Sequence, residues 1–219
     1  MIDLHMHSFF SDGELIPSEL IRRAEQKGYK ALAITDHVDS SNLDFITPRL
    51  LAVCKKMSFS SGVLCLAGVE ITHVDPKEIP ELAIRARKLG AQVIVVHGET
   101  IVEPVKKGTN TMALKSDIDI LAHPGLITAS EARMAKKRNI CLEISGRKGH
   151  SLCNGLVAQL AKKYSAPLVF DTDSHSPSDL TTWEQARKVI SGAGITSLEA
   201  SKMIANSKSI ISKALSRSS

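Results

Sequence analysis

The chain has 219 residues, of which 43% are hydrophobic and only 4% aromatic, so it can build a sizeable aliphatic core. The low aromatic content argues against a stacking surface for single-stranded nucleic acid. The formal net charge of +5 is compatible with an anionic substrate, but it is too small to indicate a nucleic-acid partner.

The N-terminal residues lack the basic start and the long apolar run of a signal peptide. No apolar stretch approaches the roughly 18 residues that a membrane span needs. The four cysteines contain no Cys-x-x-Cys pair and have no disulfide-like spacing. We therefore expect a protein of the reducing cytoplasm with no membrane-spanning segment.

Short apolar runs predict seven β-strands, at residues 2–5, 31–36, 63–70, 92–97, 118–122, 140–144 and 168–172. Most of these runs are continuously apolar and do not alternate with polar residues. Strands that are buried on both faces have this pattern, which is typical of a parallel sheet covered by helices.

Helical segments are predicted between the strands, at residues 17–27, 77–89, 130–138 and 151–163. Pro17 suits a first helical turn, and Gly28 and Gly90 suit positions just beyond a helix end. Nearer the C-terminus, Thr196 and Glu199 form a capping-box pattern that opens a further helix. We expect Asn206 to cap a last helix.

Seven β–α alternations without a linker predict one α/β domain over residues 1–219. The alternation fits either a closed barrel or an open doubly wound sheet. Because no Gly-x-Gly-x-x-Gly motif follows a strand, the barrel is favoured.

Polar residues stand where the predicted strands end. In parallel α/β folds these ends share one face, which is where active sites are built. Six of the eight histidines occupy such ends, and the full set is His5, His7, Asp36, His37, Glu70, His97, His123, Glu143, Asp173 and His175.

Each of these residues alone has an ordinary structural explanation, such as a turn cap or half of an ion pair. Together they would bury many imidazoles and carboxylates at one place without hydrogen-bond partners. Each unpaired buried polar group costs about 1–3 kcal/mol of folding free energy. Divalent ions remove that cost by binding the lone pairs. Mixed histidine and carboxylate ligands suit Zn, Mn or Fe, and about nine ligands imply two or three ions.

The ordered motifs resemble the polymerase and histidinol phosphatase (PHP) family from residue 5 to at least residue 175. They are His5-Met6-His7, Ser11-Asp12-Gly13, Thr35-Asp36-His37, Glu70, His97, Ala122-His123-Pro124 and Asp173-Ser174-His175. The resemblance implies a distorted (β/α)7 barrel with a trinuclear metal centre that hydrolyses phosphate esters.

The resemblance also implies three ligand groups, and Asp12 stands where some relatives carry a histidine. The residues expected to carry catalysis are His5, His7, Glu70, His97, His123 and Asp173. The first ion would be held by His5, His7, Glu70 and Asp173, the second by Glu70, His97 and His123, and the third by Asp12, His37 and His175.

Other polar residues receive weaker expectations. Arg147 and Lys148 follow the sixth strand and are the candidates for binding the substrate phosphate, Arg147 by a bidentate contact. His150 is expected at the surface, although it could donate a proton to the leaving group. Asp36 and Asp171 could orient an imidazole or cap a turn. Four residues receive no definite role: His73, Glu99, Glu103 and Glu143.

Three functions remain open at this point. The leading hypothesis is hydrolysis of a small phosphomonoester, as in histidinol-phosphate phosphatase. The second is a nuclease or nucleotide phosphatase, which the modest charge and few aromatic residues disfavour. The third is a non-catalytic, metal-stabilised accessory module, which the complete ligand set disfavours.

Overall fold

The computed structural model describes residues 1–217 and contains one parallel β-sheet. Seven strands follow one another around it in the order β1, β2, β4, β5, β6, β7, β8, and β3 also pairs with β4. The strands are β1 Ile2–Asp3, β2 Ala31–Ile34, β3 His37–Val38, β4 Leu64–Ile71, β5 Val93–His97, β6 Ile120–Ala122, β7 Cys141–Ser145 and β8 Leu168–Asp171.

The short strand β3 continues β2, because both pair with β4 on the same side. Only Thr35 and Asp36 separate them, so they occupy one position in the sheet. The seven predicted strand positions are therefore confirmed, and the second strand extends two residues beyond its predicted end.

The sheet closes into a barrel where β1 approaches β8. Beyond the paired strands, the backbone N–H of His7 donates to the carbonyl of Ser174 at 2.8 Å, and that of Asp173 donates to the carbonyl of His5 at 2.9 Å. Below these bonds, Asp171 Oδ1 accepts from the backbone N–H of Leu4 at 2.6 Å. The distorted barrel is thus confirmed, and its closure lies among the predicted ligands.

Helices cover the outside of the sheet and one end of it. They are α1 Pro17–Gln26, α2 Leu43–Ser60, α3 Ile79–Lys88, α4 Thr109–Ala113, α5 Ala129–Arg138, α6 Asn154–Tyr164, α7 Trp183–Gly192 and α8 Ser197–Arg217. Single-turn 3₁₀ helices, Pro76–Glu78 and His150–Cys153, precede α3 and α6.

The prediction that Asn206 caps a separate last helix is wrong, because α8 continues through it to Arg217. The Asn206 side chain instead donates from Nδ2 to the carbonyl of Leu168 at 2.8 Å. It therefore ties the middle of α8 to the beginning of β8.

The barrel interior is apolar towards the beginnings of the strands. Along β4, β5 and β8 alternate side chains point inward, as expected for a barrel. Leu66, Val95 and Val169 pack in one buried cluster with Ile210 and Ile211 of α8. Helix α8 thus closes the N-terminal end of the barrel, and only the opposite end is open for a polar site.

No helix within residues 1–217 is both long and apolar enough to cross a lipid bilayer. The cysteines Cys54, Cys65, Cys141 and Cys153 are all buried free thiols, which agrees with the absence of a disulfide pattern.

Candidate metal centre

All eight histidines of the chain lie in one cluster at the carboxyl ends of the strands. Their rings form a connected set of contacts with centroid separations from 4.1 to 6.2 Å. The six strand-end histidines are brought together as expected. They are joined by His73 and His150, which sequence reasoning left out.

Glu70 lies at the centre of the cluster and is completely buried. Its Oε1 lies 3.3 Å from Nε2 of His5 and 3.6 Å from Nε2 of His123. Its Oε2 lies 2.7 Å from Nδ1 of His37 and 3.6 Å from Nε2 of His7. One carboxylate therefore faces four imidazoles, which is the position that a bridging ligand requires.

Asp173 faces the same imidazoles from the β8 side of the barrel. Its Oδ1 lies 3.2 Å from Nε2 of His7 and 3.7 Å from Nε2 of His5, and its Oδ2 lies 3.7 Å from Nε2 of His123. The predicted pairs His5-x-His7 and Asp173-x-His175 thus meet where the barrel closes.

A third group lies nearer to solvent. Oδ1 of Asp12 is 3.1 Å from Nε2 of His175 and 3.5 Å from Nε2 of His37. The potential ligand atoms of these residues and of His7 all lie within 4.8 Å of one another. Asp12 is therefore placed to act as a ligand together with His37 and His175.

The loop that carries Asp12 is held in place by Asp36, which makes no hydrogen bond to an imidazole in the described residues. The Asp36 carboxylate accepts hydrogen bonds from the backbone N–H and hydroxyl of Ser8 and from the hydroxyl of Ser11. Gly13 lets this loop approach closely, because a Cβ there would lie 2.5 Å from the carbonyl oxygen of His7.

Glu143, which was predicted at a strand end without a definite role, contacts His5 from the barrel interior. Its Oε2 lies 2.6 Å from Nδ1 of His5, and both side chains are fully buried. Glu143 shares the inward-facing side of β7 with Cys141 and Ser145. Its place among the strand-end polar residues predicted that it lies in the cluster, but it did not indicate that it contacts His5.

The prediction that His150 lies at the surface is wrong, since only 5% of this residue is exposed. Its ring stacks on that of His123 at a centroid distance of 4.1 Å. Burial, with a smaller contribution from His123, lowers the pKa of His150 to about 3. Its imidazole is therefore neutral, as a metal ligand must be.

Glu103 reaches the cluster from the loop between β5 and α4. Its Oε2 lies 3.0 Å from Nε2 of His97 and 3.1 Å from Nε2 of His73, and its Oε1 lies 3.3 Å from Nε2 of His150. Glu99 instead shapes this loop, because Oε1 accepts from the backbone N–H groups of Gly108 and Asn110.

Three site residues have left-handed backbone conformations. Among residues 1–217, the non-glycine residues with positive φ include His73, His123 and Asp173, at 54°, 25° and 53°. Such conformations are costly for side-chain-bearing residues, and they cluster at functional sites. Two of these residues, His123 and Asp173, lie together beside His5 in one potential ligand group.

In the centre, neighbouring opposite charges counteract the effect of burial on the pKa values of the ionisable groups. Burial alone would lower the pKa of His5, but Glu70 and Glu143 outweigh burial and raise it well above its usual value. Burial would likewise raise the pKa of Glu70, but His5 and His37 hold it well below its ordinary range. Buried carboxylates thus require positive charge here, from protons or from metal ions.

Several buried atoms of the centre have no hydrogen-bond partner within the described residues. They include Nε2 of His5, both ring nitrogens of His7, Oε1 of Glu70, Nδ1 of His123 and Oε1 of Glu143. Leaving such atoms unpaired is unfavourable. Imidazoles that give up their extra proton to a metal ion, together with carboxylates, are a donor set that fits divalent transition ions, so the residues present suit a metal centre.

The centre opens into a cavity of about 320 Å³. Arg147 lines this cavity, and its guanidinium donates to the carbonyl of Asp173 at 3.1 Å and lies 2.6 Å from Nδ1 of His175. Lys148 is exposed and is not among the lining residues. The structure therefore brings Arg147, but not Lys148, to the site.

A closed parallel barrel with buried imidazoles and carboxylates at its carboxyl-terminal mouth defines a metal-dependent hydrolase. The chain belongs to the PHP family, since the family model described as "PHP domain" matches residues 3–150. It is a metal-dependent phosphoesterase, and the metal-binding groups found in the structure agree with this.

Two relatives illustrate the family. An uncharacterised protein of Methanocaldococcus jannaschii is 46% identical over 199 residues, covering 90% of this chain and 91% of that protein. A probable phosphatase of Thermoanaerobacter sp. is 28% identical over 222 residues, covering 90% of this chain and 87% of that protein.

Solved structures share the fold at low sequence identity. A chain of an archaeal ribonuclease P complex with mature tRNA has a TM-score of 0.74 and 19% identity, with 98% of this chain and 91% of that chain covered. The histidinol phosphate phosphatase of Lactococcus lactis, solved with zinc, L-histidinol and phosphate, has a TM-score of 0.63 and 17% identity, with 89% and 94% covered.

Proposed function

We propose that this chain hydrolyses a small phosphomonoester at a centre of two or three divalent metal ions. The observation that carries the proposal is the position of Glu70, whose two carboxylate oxygens face four imidazoles within 3.6 Å. A carboxylate so placed could be a ligand shared by two ions, and the groups on either side of it would supply the remaining ligands.

The proposed ligand groups follow the family motifs. The first is His5, His7, Glu70 and Asp173, the second Glu70, His97 and His123, and the third Asp12, His37 and His175. When bound, such ions lower the pKa of water to about 7 and stabilise charge on the transferring phosphoryl group. The mixed nitrogen and oxygen donors suit Zn, Mn or Fe, and zinc is present in the Lactococcus structure.

The residues of the chain itself position the substrate. Arg147 stands at the cavity wall with its guanidinium beside His175, where it can bind phosphate oxygens in a bidentate manner. Glu143 and Thr72 hold His5 and His37 by their Nδ1 atoms. These hydrogen bonds fix the orientation of each ring, and Lys148 remains only a more distant candidate for phosphate binding.

Charge at the cavity favours a small substrate over a polynucleotide. The lining residues include the carboxylates of Asp12, Asp39 and Glu103, and Arg147 is the one lysine or arginine among those described. An acidic rim repels a polyanion but tolerates a single phosphate that the centre and Arg147 neutralise. The likeness to the ribonuclease P chain, at 19% identity, concerns the fold alone.

We further propose that residues 1–219 act as a single catalytic domain and not as an accessory module. The complete set of ligand positions supports this. An accessory role would instead predict that bound metal stabilises the fold without any phosphate ester being hydrolysed.

The test measures phosphate release from histidinol phosphate and from mono- and bisphosphorylated nucleotides, and the shortening of a short oligonucleotide on a gel, each with added Mn or Zn. We expect metal-dependent hydrolysis of a small monoester. Preferential cleavage of the oligonucleotide, with binding that weakens steeply as salt increases, would favour the nuclease alternative. Hydrolysis of none of these compounds by folded, metal-loaded protein would support the accessory-module alternative.

A further inference from the structure

His150 is a buried histidine outside the strand-end motifs. It opens the 3₁₀ helix His150–Cys153, and its ring lies against two expected ligands of the second ion. The ring stacks on His123 at 4.1 Å and meets His97 edge-on at 5.9 Å between centroids. Only 5% of the residue is exposed, and it lines the cavity into which the centre opens.

The His150 ring is oriented in the way that metal-binding imidazoles are oriented. Its Nδ1 is hydrogen-bonded to the hydroxyl of Thr100 at 2.8 Å. Its Nε2 therefore faces the centre, 3.3 Å from Oε1 of Glu103 and 3.8 Å from Oδ2 of Asp173. His97 is held similarly, with Nδ1 3.2 Å from the carbonyl of Gly98. A second hydrogen bond of this kind is typical of metal-ligating histidines.

The ring nitrogens of His97, His123 and His150 are close enough to share one ion. One nitrogen from each ring lies within 4.8 Å of the others. Because metal–nitrogen bonds are about 2.0–2.1 Å long, two nitrogens on one ion lie about 3–4 Å apart. Small movements of the side chains would therefore bring the three nitrogens to bonding distance.

We propose that His150 is an additional metal ligand, which provides a third imidazole for the ion held by His97 and His123. The proposal rests on the metal centre proposed above and adds a residue that the strand-end motifs do not contain. Three imidazoles bind a borderline ion such as Zn²⁺ or Co²⁺ more firmly than two. This ion should therefore be the last one that a chelator removes.

The experiment compares His150→Ala with Lys148→Ala, an exposed neighbour on the same loop. Each protein is loaded with Co²⁺, equilibrated with increasing chelator and analysed for metal content and for its visible absorption spectrum. Wild type and Lys148→Ala should each retain one tightly bound equivalent of Co²⁺ per chain. His150→Ala should lose that equivalent at a chelator concentration at least about 10-fold lower, and its spectrum should change.

A second variant, Thr100→Val, keeps the imidazole of His150 but removes the hydroxyl that orients it. We expect a smaller loss of affinity for the same equivalent, and circular dichroism verifies that each variant is folded. Retention curves of both variants that coincide with wild type would overturn the role of His150 and leave the proposed function intact. Failure of wild type to bind metal would overturn both.

Discussion

The carboxylate of Glu143 lies 2.6 Å from Nδ1 of His5, and neither side chain has any exposed surface. The contact fixes which nitrogen of His5 carries the proton, so that Nε2 is left to face Glu70 at 3.3 Å. Carboxylate–histidine pairs of this kind orient the ring and make it a stronger metal ligand.

Replacing Glu143 with Gln should weaken metal binding at the His5 group. The loss of the carboxylate removes the charge that favours the proton on Nδ1, and we expect about 10–100-fold lower metal affinity. Competition with a chelating dye measures this. Glu99→Gln is the matched control, because the Glu99 carboxylate accepts hydrogen bonds from the backbone N–H groups of Gly108 and Asn110 and not from an imidazole in the described residues. Equal losses in the two variants would contradict the assigned role.

Replacing His123 with Ala should abolish most hydrolysis without unfolding the barrel. His123 faces Glu70 and Asp173 but contributes no strand pairing. Since removing an outer partner already costs about 10–100-fold, removing a ligand should lower kcat/KM by at least about 100-fold. Steady-state phosphate release, with circular dichroism for the fold, measures the effect. Activity like that of wild type would exclude the assigned second ion.

Replacing Arg147 with Ala should lower kcat/KM for the phosphomonoester more than it lowers the affinity for metal. Hydrogen bonds to charged groups are worth about 1.5–3 kcal/mol, which corresponds to a loss of roughly 10–150-fold in kcat/KM. Arg147→Lys should recover only part of it, because an ammonium cannot make the bidentate contact. Lys148→Ala is the control on the same loop. A larger effect in this control than in Arg147→Ala would reverse the assignment.

Metal affinity should rise with pH from the mildly acidic range through neutrality. The pKa of His5 in the metal-free protein is raised well above its usual value, after burial is outweighed by Glu70 and Glu143. His5 therefore holds a proton at neutral pH that a metal ion must displace. Titration calorimetry in two buffers of different ionisation enthalpy should detect proton release. Proton-neutral binding with an affinity independent of pH would contradict this.

Removing the side chain of Ile210 should destabilise the closed end of the barrel. Ile210 of α8 is 5% exposed and packs with the interior residues of the strands. Ile210→Ala should cost about 2–5 kcal/mol of unfolding free energy. Leu198→Ala, on the same helix but 71% exposed, should cost no more than about 0.5 kcal/mol. Urea unfolding curves that shift equally would show that α8 does not contribute to this core.

The strands could be predicted because each is buried on both faces, which leaves a continuous apolar run in the sequence. The helices were predicted less completely. Helix α2 was missed because Pro48 lies inside it, and an internal proline ordinarily argues against a helix. Asn206 is a residue type that often caps helices, but its side chain donates to the carbonyl of Leu168. These two residues are far apart in the sequence, so a local sequence pattern cannot predict their contact.

The gathering of the proposed ligands at one place could be predicted, because strand ends of a parallel barrel must share one mouth. The residues that surround them could not. His150 is carried into the centre by the loop after β7 and held by Thr100, which is fifty residues earlier in the chain. Glu103 reaches three imidazoles from another loop. Such positions depend on loop conformation, which residue spacing does not determine.

A metal titration of chelator-treated protein, with phosphate release as the readout, tests the proposed metal-dependent hydrolysis most directly. We expect no hydrolysis without metal, a rise in rate as Mn or Zn is added, and a plateau at two to three equivalents of metal per chain. Hydrolysis that is unaffected by chelator and by added metal would contradict this expectation. So would the absence of hydrolysis from protein that is folded and fully loaded.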